Sequence, residues 1–164
     1  CRSSFPRVYH SPHRPVSSAP MSIGNNINGE SPSFPLQEFL GMKLTTDEPG
    51  TGVAHLTLGE QHANPNGVAH GAVIFALVDT AMGKATMSAL DEGNYCASVE
   101  VSLRFIRPAT EGSLTAVATV VKRGRSIVHL EARVHDTDQR LVATSAGTFA
   151  ILTKTTPSND DLTT

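Results

Sequence analysis

His70-Gly71-Ala72-Val73-Ile74-Phe75-Ala76-Leu77-Val78-Asp79-Thr80-Ala81-Met82-Gly83-Lys84-Ala85-Thr86-Met87-Ser88-Ala89-Leu90 is the stretch whose reading decides the fold. It is helix-length and apolar on nearly every side, entered through Asn64-Pro65-Asn66-Gly67 and left through Asp91-Glu92-Gly93-Asn94, both turn-forming. A helix apolar all round is buried in protein or in a bilayer. Asp79, Gly83 and Lys84 at its centre argue against lipid, where a mid-span charge is costly. The helix is therefore expected to be surrounded by protein.

What surrounds it follows in the chain. Tyr95–Ile106 alternates, with Ala97, Val99, Val101, Leu103 and Phe105 on one face and Ser98, Glu100, Ser102 and Arg104 on the other, the pattern of a long half-buried strand. Ser113–Val121, Ile127–His135 and Leu141–Leu152 repeat the theme, broken by Lys122-Arg123-Gly124-Arg125 and Asp136-Thr137-Asp138-Gln139, both read as turns. Four successive strands with short connections predict an antiparallel meander. Gly52–Leu58 reads as an earlier strand and Pro35–Leu40 as a short turn of helix. The fold class is α+β, a curved antiparallel sheet wrapped around one long central helix.

The whole chain has 164 residues, room for one ordinary domain. Periodicity is confined to residues 36–152, which are assigned to that domain. Residues 1–35 hold six of the ten prolines, with Arg2, Arg7, Arg14 and no acid before Glu30. They read as a disordered leader or N-terminal extension, in which prolines break every amphipathic face a transit peptide needs. Whether residues 1–20 are native, appended or targeting is left open. Residues 153–164 are polar and read as a flexible tail. Thirteen Lys+Arg against fifteen Asp+Glu give a net charge of −2, so no overall basic field draws the chain to nucleic acid or an anionic membrane. Cys1 and Cys96 make neither a disulfide framework nor a CxxC pair, which fits a reducing cytoplasm.

Asn64-Pro65-Asn66-Gly67-Val68-Ala69-His70-Gly71-Ala72, followed nine positions after His70 by Asp79, resembles the signature of hot-dog-fold acyl-CoA thioesterases of the PaaI-like (phenylacetate-pathway) type. The resemblance covers about residues 36–152 and includes Ser98–Pro108 and Lys122–Ser126. Ala72 departs from it, standing where the family most often has a second glycine. It implies an acyl-CoA thioesterase acting on a small aromatic or medium-chain acyl group, with composite sites in dimers that often pair into tetramers. It also implies roles for Asn64, which could donate its amide to the carbonyl or the water, for His70 as a mostly positional residue, and for Ser98, which faces the reacting group. The competing readings are a turn residue, a backbone-bonded helix-entry residue and an exposed strand serine.

The chemistry can also be argued from the residues. A helix starting near Gly71 offers unpaired N–H groups and the positive end of its dipole to the oxygen of a thioester as it becomes an oxyanion. Asp79 is a carboxylate on an apolar face, a place that asks for a use or a partner. Lys84 is a poor local partner, because a five-residue spacing does not suit a helical ion pair. Asp79 would act as general base on water or as nucleophile, and the sequence leaves both open. At about 1.5 Å per residue, the eight residues from Gly71 to Asp79 span on the order of 12 Å. One thioester carbon cannot touch both, so the two groups are expected from different chains of a homodimer.

Lys122, Arg123, Gly124 and Arg125 are candidates for the phosphates of coenzyme A, against the alternative of a solvated hairpin; Arg104 and Arg107 are weaker candidates. Coenzyme A is here part of the substrate, no separate cofactor is called for, and thiolate leaves well enough to need no metal. Phe75, Met82, Met87 and Phe105 are candidate acyl-pocket walls or plain core. A serine hydrolase lacks its Gly-x-Ser-x-Gly elbow, and a hydratase dyad would need histidine where Lys84 stands. His62, His70, His129 and His135 lack metal-ligand spacing. The rival from another class is a non-catalytic acyl-CoA sensor of the same fold, which gains nothing from Asp79.

Overall fold

The computed structural model describes residues 33–154, and the expectations for residues 1–32 and for the tail beyond 154 lie outside the described residues. In chain order these form α1 (Pro35–Leu40), β1 (Lys43–Thr45), β2 (Thr51–Thr57), α2 (Gly71–Ser88), β3 (Asn94–Phe105), β4 (Ser113–Arg123), β5 (Ile127–His135) and β6 (Leu141–Thr153), with one 3-10 turn at Glu60–His62. The strands make one antiparallel sheet in the order β1-β2-β4-β5-β6-β3, and α2 packs against β2, β3, β4, β5 and β6. One helix can touch five strands only if the sheet curves around it. The α+β class and the hot-dog architecture stand as expected.

Three details differ from the sequence reading. The meander holds for β4, β5 and β6 only: β3 pairs with β6 and forms an edge, while β4 takes β2 as its other neighbour. Lys122 and Arg123 belong to β4, so the turn is Gly124 to Ser126. Strict alternation fails in β3, because the pairing with β6 shifts register between Ser98 and Glu100. A bulge of this kind adds one residue to one strand and reverses which side chains face inward. Cys96 before the bulge and Val101 and Leu103 after it therefore pack against the same core, while Val99 stays 65% exposed.

The helix approaches the sheet closest at β2. A Cβ on Gly52 would lie well inside contact distance of the Ala81 carbonyl and the Ala85 amide, so only glycine allows that approach. Along the covered side Val73, Ile74, Leu77, Val78 and Met82 are buried, each large side chain contributing about 1.5–3 kcal/mol. Ser88 ties the far end, its hydroxyl donating to Ala85 O at 2.8 Å and accepting from Gly50 N at 2.9 Å.

The sheet covers one side of α2 fully and reaches the other only in part, through β3. Ala72, Phe75, Ala76, Asp79, Thr80, Gly83 and Met87 share the other flank, half-buried or exposed, with Phe75 and Met87 each at 42%. Within one chain the expectation of a helix surrounded by protein is thus met by half. No helix among the described residues is long and apolar enough to cross a membrane.

Candidate active site

Asp79 sits on this uncovered flank, half-buried, one turn from Phe75 and one from Gly83. Desolvation raises its pKa above the ordinary carboxylate value, and the hydroxyl of Ser98 donates a hydrogen bond to it that acts in the opposite direction. A carboxylate with raised proton affinity is the stronger base while ionised. The bulge places Ser98 here: without the extra residue, the serine would face away with the polar side of β3. Two residues earlier, the Cys96 thiol donates to Gly83 O at 3.8 Å and is pushed up to about 11 by burial, then by the Asp79 charge. A thiol held neutral in this way is a poor nucleophile. Cys96 entered the sequence reading only through its lack of a disulfide partner, and nothing in the pattern placed it beside Asp79.

The loop before α2 is built by its own side chains. Asn64 Oδ1 accepts from Asn66 N at 2.8 Å and Val68 N at 3.4 Å, which commits that oxygen to the turn completed by Gly67 at φ +75°. His70 caps the helix, its Nδ1 accepting from Ala72 N at 3.0 Å, so a neutral ring carries its proton on Nε2. The Val73 N–H goes to His70 O at 2.9 Å. The cradle is thereby narrower than the sequence suggests: among the described residues, Gly71 N–H is the first-turn donor left over. Behind it His62 is buried, its Nδ1 accepting from Gly59 N at 2.9 Å and its Nε2 lying 3.2 Å from Leu40 O. The His62 carbonyl also receives His70 N–H at 2.8 Å, so this histidine anchors the cap rather than holding a ligand.

A Cβ on Gly71 would lie 3.1 Å from Phe105 Cζ, so the ring at the end of β3 rests directly on the glycine. Beside them a cavity of about 360 Å³ is lined by Val68, Gly71, Ile74, Phe105, Arg107 and Pro108, among others. Gly83 with Cys96, Asp79 with Ser98 and Gly71 with Phe105 show β3 running antiparallel along the open flank of α2. Of the other candidate walls, Phe75 and Met87 stand on that flank, whereas Met82 is fully buried core beneath Gly147.

The cationic hairpin lies further off. Ser98, Phe149, Val128 and Arg123 fall on one row of the sheet, three strand spacings or about 14 Å across. Arg123 pairs with Asp91, which follows the C-terminal end of α2. The Gly124 N–H is taken by Ile127 O at 2.8 Å, so that amide closes the hairpin. Lys122 and Arg125 are exposed.

Comparison with known proteins agrees with this fold. The family described as the thioesterase superfamily matches residues 66–143, from the turn before α2 into β6. A Pseudomonas aeruginosa protein named provisionally as an esterase is 32% identical over 119 residues, covering 71% of this chain and 88% of its own length. The 1,4-dihydroxy-2-naphthoyl-CoA hydrolase of Listeria monocytogenes is 25% identical over 119 residues, 73% of this chain and 97% of that enzyme. Among solved structures, the E. coli PaaI protein from the phenylacetic acid degradation operon superposes with a TM-score of 0.68 at 26% identity, covering 73% of this chain and 86% of PaaI. The chain belongs to the thioesterase superfamily and is a thioester hydrolase of the PaaI-like, hot-dog kind.

Proposed function

We propose that this chain hydrolyses an acyl-CoA to the free acid and coenzyme A at a site shared by two copies, Asp79 from one and Gly71 N–H from the other. The carrying observation is the unbroken helix Gly71–Ser88, which fixes the two groups within one chain about 12 Å apart. A general base works within a hydrogen-bond reach of about 3 Å. The uncovered flank of α2, with Phe75 and Met87, and the edge strand β3 support a second copy laid against this side.

In the reaction Asp79 takes a proton from water, the water oxygen bonds to the thioester carbon, and Gly71 N–H donates to the carbonyl oxygen as it becomes an oxyanion. The C–S bond then breaks and the thiolate leaves. Direct attack by Asp79 to give an anhydride, cleaved later by water, uses the same atoms. Ser98 holds the carboxylate in place, His70 fixes the helix entry, and Asn64 shapes the turn before it. Lys122, Arg123 and Arg125 offer cations to the coenzyme phosphates. The names of the Listeria and E. coli relatives favour an aromatic acyl group, for which Phe75 and Met87 supply walls.

Gly71→Pro tests the shared site. Proline suits the first helical position and His70 already has extended φ and ψ, so the N–H is lost while the Phe105 ring, 3.1 Å from a Cβ placed here, must shift slightly. Turnover of an acyl-CoA is expected to fall about 100-fold. Mixing Gly71→Pro with Asp79→Ala chains, each inactive alone, should restore about a quarter of wild-type activity, since half the dimers are mixed and each has one intact site. No recovery in dimers shown to be mixed overturns the shared site.

A further inference from the structure

We infer that His62 is a positioning residue for the reaction: its buried ring fixes the root of the loop that ends at Gly71, and so holds the Gly71 N–H on the reacting carbonyl. This rests on the hydrolase reading and adds to it a residue that touches no substrate.

Among the described residues four polar or charged side chains are buried, His62, Thr86, Asp136 and Ser145. Three of them serve their own element or the strand beside it. The Thr86 hydroxyl donates to Met82 O one turn back, Asp136 accepts from the Asp138 and Arg140 amides of its own turn, and Ser145 donates to Ser102 O on the neighbouring β3. The His62 ring reaches further. Its Nδ1 accepts from Gly59 N–H at 2.9 Å, so Nε2 carries the ring proton and donates to Leu40 O, the last residue of α1, at 3.2 Å. A buried imidazole is costly without such partners, and an apolar side chain of the same size would fill the space with no need of them. The polar ring is of use for the direction its two bonds impose.

That direction is passed to the site through residues 62–70, which fold back on themselves. His70 N–H donates to His62 O at 2.8 Å, Ala63 and Ala69 form a bridge, and Asn64 N–H donates to Val68 O at 2.8 Å. The His70–Gly71 peptide follows the first of these rungs directly. On one side the loop is braced by Ala69 N–H on Ala109 O at 2.7 Å, and at its root by the His62 ring. The His70 ring holds Ala72 N–H, beyond Gly71, and so leaves the aim of the Gly71 donor to the backbone beneath it. Misplacement by about 1 Å can cost on the order of 100-fold in rate, so a pivot at this root is felt at the carbonyl.

The test is a cycle of variants. In His62→Ala, kcat for an acyl-CoA should fall about tenfold with KM within about twofold, because the interaction lost is one made in the transition state. On the Gly71→Pro background, which has no N–H left to aim, the same change should cost less than about twofold more. His62→Asn keeps an acceptor where Nδ1 stood and His62→Gln a donor where Nε2 stood; each should recover part of kcat, and each carries the test if the alanine variant does not fold. A ketone analogue, with methylene in place of the thioester sulfur, reads the donor without turnover. Its carbonyl stretch, lowered by the Gly71 N–H when bound to the wild type, should return toward the free value in the His62 variants. Tenfold losses in both backgrounds, or a raised KM at unchanged kcat with an unmoved stretch, overturn the inference and leave the hydrolase intact. If the wild type binds the ketone with a lowered stretch that His62 controls, yet cleaves no ester, the hydrolase reading fails and the positioning role stands.

Discussion

The two flanks of α2 are made of similar residues and have opposite surroundings. On one, Leu77, Ala81 and Ala85 are completely buried, and the sheet presses so near that Gly52 has no room for a Cβ. On the other, Phe75, Asp79, Gly83 and Met87 form an equally continuous stripe at helical spacing, covered only in part by Cys96 and Ser98 of β3. Apolar content marks a surface to be covered and is silent on what covers it. A carboxylate is tolerated only on the second flank, since Asp79 would meet the backbone of β2 or β4 on the first. Gly52→Val breaks this contrast most severely. The branched side chain must displace the helix backbone, and chemical denaturation should show a loss of about 3 kcal/mol. A loss under about 1 kcal/mol would mean that α2 is free to move on its buried side.

The next effect belongs to the open flank. Ser98→Ala removes the hydrogen bond that favours ionised Asp79, while the desolvation that raises its pKa stays. The pKa therefore rises further. On the proposed mechanism the ionised form is the active one, so the acid limb of the pH–rate profile should move to higher pH, with the loss of rate greatest on the acid side. The same sign holds for stability. With its folded pKa above the unfolded value, Asp79 binds its proton more tightly in the native state, so its contribution is full at low pH and is lost as pH rises through the folded pKa. Asp79→Asn should flatten that part of the stability curve. An acid limb that shifts downward in Ser98→Ala would show that the hydroxyl does not serve the ionised carboxylate.

Legibility divides along the same line. The long helix, the Asp79 and Gly71 positions and the alternating strands could be read directly, because a buried helix and a half-buried strand each impose a period on the residues that form them. The bulge in β3 could not: Cys96-Ala97-Ser98-Val99-Glu100 contains no glycine or proline to announce an added residue, and the alternation reads straight through it. With it went the reason for Ser98 reaching Asp79. Strand order was equally silent. The loops around β3 are short enough for hairpins, yet β3 pairs with β6 and lies along the half-open flank of α2. The commitment of the Ala72 amide to His70 and of the Gly124 amide to Ile127 depends on atoms a few residues apart in specific rotamers and turns. Composition carries no trace of either.

The smallest effect compares the two ends of the helix. At the N-terminal end Arg107 stands without a carboxylate, whereas at the C-terminal end Arg123 is held by Asp91 across 32 residues of sequence. Both partners of that pair keep much of their surface in water, 39% and 77% of the side chain. Removing an exposed pair changes stability by no more than about 0.5 kcal/mol, so Asp91→Asn should leave the denaturation midpoint nearly unchanged. Its effect on binding has a definite sign. If Arg123 meets a coenzyme phosphate as proposed, Asp91 competes for its guanidinium, and releasing the arginine should lower KM for an acyl-CoA about twofold at low ionic strength, a gain that added salt erases. If KM instead rises, the pair is needed to hold the end of α2 in place, and Arg123 is a strut of the fold rather than a hand for the coenzyme.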